Sequence, residues 1–481
     1  MNTIMKKYIL IPLVALTAFT GCQDFLVEDP VMAQSNELTF STFDGLDKAV
    51  AGAYSPLASS AWYGADFIIQ NELKTSNGKK WIGTAWDSGR CNDIYNLNYD
   101  PNQTSSLWGY AYFVISAVNN VMDNLEGKEN TDVTVQDLNN LKAECLFLRA
   151  LAHFDLVRTY AQPYCYDREG ADGKGSHIGV PVVLKTDPAA KPARDSVQRV
   201  YAQVISDLKT AEQLIDPAYV RAGVKDKTAV ATLPAIQALL SRVSLYCENW
   251  QDAADYAAKV INNYDYTLWT PEEVKDAACY TVDVPDGGEV IFQVYGDKSN
   301  SYDGYHDGLA PMCGPDGYGD AGASADLKAL YEADDVRGTL FQEQDGVLWT
   351  AKYMGKGLAD PDLTNTIVLR LSEMYLNLAE AVVRGAQGHN APQALADLAA
   401  NRGATAQNAT LEGVWLERQK ELAWEAHYWF DLGRTKRNMT RNDFIGDEKA
   451  KDLAWGEHKW AMPIPLRETG ANPNLKQNTG Y

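Results

Sequence analysis

Two stretches of this chain read as copies of one unit. "AIQALLSRVSLYCENWQDAADYAAKVINN" (235–263) is a helix rich in small residues, a short turn at Glu248-Asn249-Trp250, and a second helix opening on Asp252-Ala253-Ala254. "YLNLAEAVVRGAQGHNAPQALADLAANRG" (375–403) repeats the plan with a longer turn. Alanine at the crossing points lets paired helices approach closely, as in tetratricopeptide-like hairpins, and such hairpins bury their apolar faces only by stacking on neighbours. The expected fold is therefore mainly α, a scaffold of helix pairs. The chain's 481 residues suit one extended scaffold or two to three domains.

Apolar spacing extends the helical reading. Residues 141–161 carry one stripe through Leu141, Cys145, Leu148, Ala152, Leu156 and Tyr160, and a second through Phe147, Ala150, Phe154 and Val157, which predicts a helix buried on most sides. His153 within it reads as a core residue, not a metal ligand. Residues 370–385 place Leu371, Met374, Tyr375, Leu378, Ala379 and Val382 on one face, and further helices are expected at about 105–125, 197–215, 229–247, 250–263, 392–401 and 411–436. Between the two hairpins the pattern fails. "GEVIFQVY" (288–295) reads as a short strand, and Gly, Asp and Tyr dominate 295–324. A long irregular segment in a folded chain is functional or disordered, and its tyrosines argue against disorder.

The chain has Lys+Arg 43 against Asp+Glu 64, a net charge of −21. That field repels phosphate backbones, so nucleic acid is a poor partner. No nucleophile elbow, phosphate loop or HExxH pattern is present, and the six histidines are scattered. Of the cysteines, Cys91, Cys145, Cys165, Cys247, Cys279 and Cys313 show no CxxC spacing, and Cys145 and Cys247 fall at apolar helical positions. Calcium could suit the Asp-rich loops, yet no ligand spacing supports it, so no cofactor is expected.

"MNTIMKKYILIPLVALTAFTGC" has a basic start, an apolar run too short to span a bilayer, and an abrupt Gly21-Cys22 ending. This resembles a bacterial lipobox, with residues 1–21 as signal peptide and Cys22 lipidated, so that the lipid would be the membrane attachment. In "ERQKELAWEAHYWFDLGR" (417–434), Glu417, Glu421 and Glu425 recur every four residues. On a helix they form an acidic ridge suited to pairing with arginines, which braces a core.

Several of these stretches in order are similar to the SusD/RagB family of Bacteroidetes surface glycan-binding lipoproteins. "LWGYAYFVISAVNNVMDNL" carries Trp108, Tyr112, Ile115 and Asn119 at the family's spacing; "FLRALAHFDLVRTYA" resembles its Arg-Ala helix; "IGVPVVL" and "ARDSVQRVYAQVISDLKTAEQLI" its Gly-x-Pro and Arg-x-Ser-Val segments. "LRLSEMYLNLAEA", "ERQKELAWEAHYWFDLGR" and "MPIPLRETGANPNLKQNTGY" resemble its three C-terminal signatures. Ala161 and Ala426 stand where the family favours Gly, and Tyr428 where it favours Arg. The resemblance implies a tetratricopeptide-like scaffold at 22–262 with an inserted binding loop near 60–100. A second part at 263–481 would have irregular loops at 264–365 and scaffold helices at 366–436. It implies no catalysis, an outer-membrane lipid-anchored location facing the exterior, an oligosaccharide ligand, and a SusC-like TonB-dependent transporter as partner. Peptide capture, or a structural lid with little binding of its own, are the alternatives.

Family ligand sites lie in variable loops, so site residues are nominated physically. Sugars stack C–H faces on aromatic rings and offer hydroxyls to Asn, Asp and Arg. "SNGKKWIGTAWDSGRCND" (76–93) supplies Trp81 and Trp86 with Asn77, Asp87, Arg90 and Asn92, with Lys79 and Lys80 solvated. Residues 295–318 supply Tyr302, Tyr305 and Tyr318, with Asp303 and His306, and Trp62-Tyr63 is a third exposed-looking aromatic pair. Each tryptophan is either a sugar platform or a hydrophobic plug under its loop.

Overall fold

Helix ends in this protein fall where a side chain can cap them. Thr134 opens the longest helix through a capping box with Asp137, and Ser196, Thr232, Asn249, Asn390 and Thr410 each accept a backbone N–H of the first turn. The structure, a computed structural model, describes residues 39–81, 87–102, 107–166, 173–224, 226–280, 288–296, 307–355 and 363–481. Cys22 and the leader lie outside them. Among the described residues no helix is long and apolar enough to cross a membrane.

The longer helices are α1 (Phe43–Tyr54), α2 (Asp66–Leu73), α3 (Leu107–Asp123), α4 (Val135–Tyr160), α5 (Val197–Leu214), α6 (Leu233–Tyr246), α7 (Trp250–Asn263), α8 (Leu371–Val383), α9 (Ala391–Ala400), α10 (Leu411–Glu421) and α11 (Tyr428–Arg434). Each of α3 to α8 packs on the next, α1 covers α3 and α4, and α10 lies on α8. The two repeats are thus the hairpins α6–α7 and α8–α9, stacked through α7 and α8, and one apolar core runs through them. Ala253, Ala254 and Ala257 are buried at the crossing. There Ser241 Oγ donates to Ala253 O at 2.9 Å, Asn377 Nδ2 to Ser241 Oγ at 3.2 Å, and Arg418 Nη1 to Asn377 Oδ1 at 2.7 Å.

Helix α4 is buried on nearly every side, as its two stripes predict, and it starts earlier than periodicity alone places it because the Thr134 box adds a polar first turn. Its charges are paired. Arg149 reaches Asp207 at 2.7 and 2.8 Å and Asn119 at 2.8 Å, tying α3, α4 and α5 together. His153 is buried against the Arg149 carbonyl, and burial lowers its pKa to about 4, so it is a neutral core residue. Trp62 and Tyr63 are not exposed: both are buried and donate to Asp155 Oδ2 at 2.8 and 2.7 Å. Cys145 is buried and Cys247 half-buried, and the six cysteines beyond Cys22 are all free thiols.

The expected helix over 411–436 is two. Trp424 and Ala426 take φ of 63° and 59°, a left-handed kink between α10 and α11. The acidic ridge survives the break and meets a set of buried cations. Strand β2 (Val290–Val294) pairs antiparallel with β6 (Thr366–Arg370) and delivers Arg370 to the centre of this set. Arg370 bonds Glu425 at 2.7 and 3.0 Å, Glu421 at 2.5 Å and Glu289 at 3.0 Å. Arg402 reaches Glu421 at 2.9 Å and also pairs with Glu289. Arg337 holds Glu417 at 2.6 Å, Glu421 at 2.9 Å and Asp335 at 2.8 Å, while Lys352 holds Glu425 at 2.5 Å and Lys420 holds Asp335 at 2.7 Å. The arginines keep the Glu421 carboxyl well below its ordinary range despite burial.

The remaining strands are short. A four-stranded antiparallel sheet has the order β1 (Gly78–Lys79), β3 (Gly322–Ala323), β5 (Val347–Thr350), β4 (Phe341–Gln344), and β7 (Met439–Thr440) pairs with β8 (Asp452–Leu453).

Arg370→Met leaves three buried carboxylates short of a partner and is expected to cost about 3–5 kcal/mol in urea unfolding. Ala426→Gly relieves a left-handed alanine and is expected to add about 1 kcal/mol, seen as a higher unfolding midpoint.

Candidate functional site

The 76–93 loop starts from a buried anchor. Glu72, in the last turn of α2, accepts from Asn77 Nδ2 and from the Ala426 N–H, each at 2.9 Å, and Gln419 Nε2 of α10 donates to Asn77 Oδ1 at 3.0 Å. Asn77 is fully buried with both amide atoms engaged, so it braces the loop and does not meet a ligand. Gly78 follows because a Cβ there would lie 2.8 Å from the Glu72 backbone. The chain then runs as β1 against Gly322 and Ala323 of β3, which ties the loop to the irregular half.

Strand alternation decides the next three side chains. Lys79 is half-buried and pairs with Asp443. Lys80 is not solvated: it is buried, with Nζ 3.1 Å from Asp320 and 3.4 Å from Asp87. Trp81 is half-buried, its ring 6.0 Å from that of Trp349. It also lies over Gly322, where a Cβ would come within 2.7 Å of the indole. One flank of the ring is thus packed, between the two readings open to it. Trp86, Tyr302, Tyr305, Asp303 and His306 lie outside the described residues.

Asp87 is half-buried, spent on Lys80 and on the Gly89 N–H, so it too is bracing. Arg90 is exposed and joins the two loops: Nη1 sits 2.6 Å from Asp307 Oδ1 and 3.5 Å from Met312 Sδ, and the guanidinium carbon lies 4.6 Å from the Tyr318 ring centre. Tyr318 is 44% exposed, which leaves ring surface for a ligand. Beside Arg90 opens a cavity of about 380 Å³, lined by residues 89–94 and 98–100 with Asp66, Asp307 and Met312. Asn92 is part of that wall at the start of a one-turn helix, Asn92–Tyr95.

Of the residues singled out from the sequence, Arg90 and Asn92 line this cavity, Tyr318 lies against the Arg90 guanidinium, and Trp81 packs instead on Trp349 and Gly322. The sequence did not single out Asp93 and Asp307, which lie within the nominated stretches, or Asp100 just beyond the first, because an aspartate in a loop carries no signal of its own. Among the described residues no group of three or more His, Cys, Asp or Glu could hold a metal ion.

The Glu72 anchor carries a pH signature. Burial raises its carboxyl to about 7, only partly offset by hydrogen bonds from Asn77 and the 424–426 backbone. A carboxyl whose folded pKa exceeds its unfolded value of about 4.3 takes up a proton on folding, so its contribution fades as pH rises through that window. His153 and His427, both lowered by burial, push the other way. The difference in unfolding free energy between Glu72→Gln and the parent is expected to grow in favour of the variant from about pH 5 to about pH 7. Urea titrations across that range measure it.

Residues 24–245 match a family described as starch-binding and associating with the outer membrane, and residues 349–481 match the SusD family. SusD-like protein P2 of Formosa agariphila is 25% identical over 99% of this chain and 100% of its own length. A SusD superfamily protein from Bacteroides vulgatus superposes with a TM-score of 0.79 at 28% identity, covering 92% of this chain and 99% of its own. Surface glycan-binding protein A from Bacteroides thetaiotaomicron, solved in complex with laminarihexaose, has a TM-score of 0.72 at 19% identity, over 91% of this chain and 100% of its own.

Proposed function

We propose that this chain, which belongs to the SusD family, is a cell-surface lipoprotein that captures an oligosaccharide and delivers it to a SusC-like TonB-dependent transporter. The observation that carries the reading is the meeting of Arg90 and Tyr318. Two loops far apart in sequence converge on an exposed ring edged by hydrogen-bonding groups and a cavity. Aromatic face plus fixed polar rim is the chemistry a sugar needs: C–H groups stack on the ring while hydroxyls reach Arg90, Asn92 and the aspartates. Trp81, on the same loop as Arg90, is proposed as a further aromatic contact. Trp86, Tyr302 and Tyr305 belong to the same two loops and are proposed as further contacts. The scaffold contributes placement, not chemistry: its charged side chains are spent on one another, so the protein binds and does not transform its ligand. Cys22 would anchor the chain to the outer membrane by its lipid, and the helical domain at 22–262 and the loop-bearing part at 263–481 would face the exterior and cap the transporter.

Arg90→Ala and Tyr318→Ala remove exposed groups held by a surface ion pair and a cation–π contact worth about 1 kcal/mol each at most. Both variants should keep the parent's melting temperature within a few degrees and lose about tenfold or more in affinity for an oligosaccharide, read by titration calorimetry against glycan and peptide panels. Saturable binding to peptides alone, or glycan affinity unchanged in both variants, overturns the reading.

A further inference from the structure

The cavity beside Arg90 has a wall chemistry that restricts which glycans can enter it. From it we infer that the site takes neutral oligosaccharides bearing free hydroxyls and rejects uronate and sulfated ones, an inference that rests on the glycan-capture reading above. Asp66, Asp93, Asp100 and Asp307 line the cavity, and Arg90 is the one cation among its lining residues. That cation is committed. Asp307 occupies its edge at 2.6 Å and the Tyr318 ring its face at 4.6 Å. The nearest lysines beneath the loop are also committed, Lys80 to Asp320 and Asp87, and Lys79 to Asp443. An anionic sugar entering here meets an excess of carboxylates in a concavity that screens them less than open water does.

Hydroxyl chemistry points the same way. A neutral sugar hydroxyl can donate to the carboxylates of Asp66, Asp93, Asp100 and Asp307 on this wall. A carboxylate or sulfate offers acceptors alone and leaves those carboxylates unmatched, which costs binding free energy.

The test uses the full mature chain and calorimetric titration with neutral gluco-, galacto-, manno- and xylo-oligosaccharides beside glucurono-, galacturono- and mannurono-oligosaccharides of equal length. The expected result is binding of a neutral series about tenfold or more tighter than its uronate counterpart, with the ratio shrinking as ionic strength rises and repulsion is screened. Asp93→Asn, at an exposed position, should narrow that ratio. A uronate series bound tightest, with affinity falling as salt rises, overturns the inference and leaves glycan capture standing. An unchanged ratio in Asp93→Asn also overturns it. Failure of every series to bind overturns the capture reading and this inference with it.

Discussion

The arrangement of this protein hangs on one set of buried charges, centred on Arg370 and Glu421. Arg337, Arg370, Arg402, Lys352 and Lys420 face Glu289, Asp335, Glu417, Glu421 and Glu425, all of them in the interior. Such a set contributes little net stability against an apolar alternative, because desolvating each ion offsets most of the Coulombic gain. Its effect is on specificity. Every guanidinium has fixed donor directions, and only one placement of the surrounding segments satisfies them all. The segments concerned are β2, β6, the turn at 335–337, the end of α9 and the α10–α11 kink, so the irregular half is locked to the helix stack by geometry that apolar packing alone would leave loose.

The same kink also sets the loops. The Ala426 N–H and Gln419 hold Glu72 and Asn77, and these fix where β1 leaves α2. The left-handed turn at Ala426 is therefore part of the support of the 76–93 loop. The pull of buried charge is visible in opposite directions on neighbouring carboxyls. Glu421, surrounded by arginines, is held ionised, and Glu72, whose burial is only partly offset by its hydrogen bonds, is pushed toward protonation.

Much of the scaffold was legible in the sequence because helices repeat a 3.6-residue apolar pattern and carry side chains that cap them. The hairpins 235–263 and 375–403 and the buried helix at 141–161 followed from that pattern. The 411–436 break did not, since neither Trp424 nor Ala426 is a helix breaker, and the partners that accompany the positive φ, Glu72 on the Ala426 N–H and Arg370 on Glu425, come from distant segments. Loop residues were harder for the converse reason. Lys80 and Asn77 have polar side chains that ordinarily face water, and their burial depends on Asp320 and Glu72, partners that no local pattern points to. Trp62 and Tyr63 misled in the same way: an aromatic pair in a glycine-flanked stretch reads as exposed until Asp155 is seen to accept both hydrogen bonds. Arg90 and Tyr318 were legible as residue types suited to sugars, but their meeting was not, because it is made by strand pairing between 78–79 and 322–323.

That two-residue pairing has a consequence for how binding preferences can change. Each loop owes its position to the other: Trp81 needs the bare backbone of Gly322, and Arg90 is oriented by Asp307 and Tyr318. A loop transplanted alone from a relative would arrive without its counterpart surface, leaving an indole colliding with a side chain or a guanidinium without its carboxylate. On the capture reading proposed above, ligand preference would be inherited as a matched pair of segments separated by more than two hundred residues, and recombination that keeps only one of them would discard both.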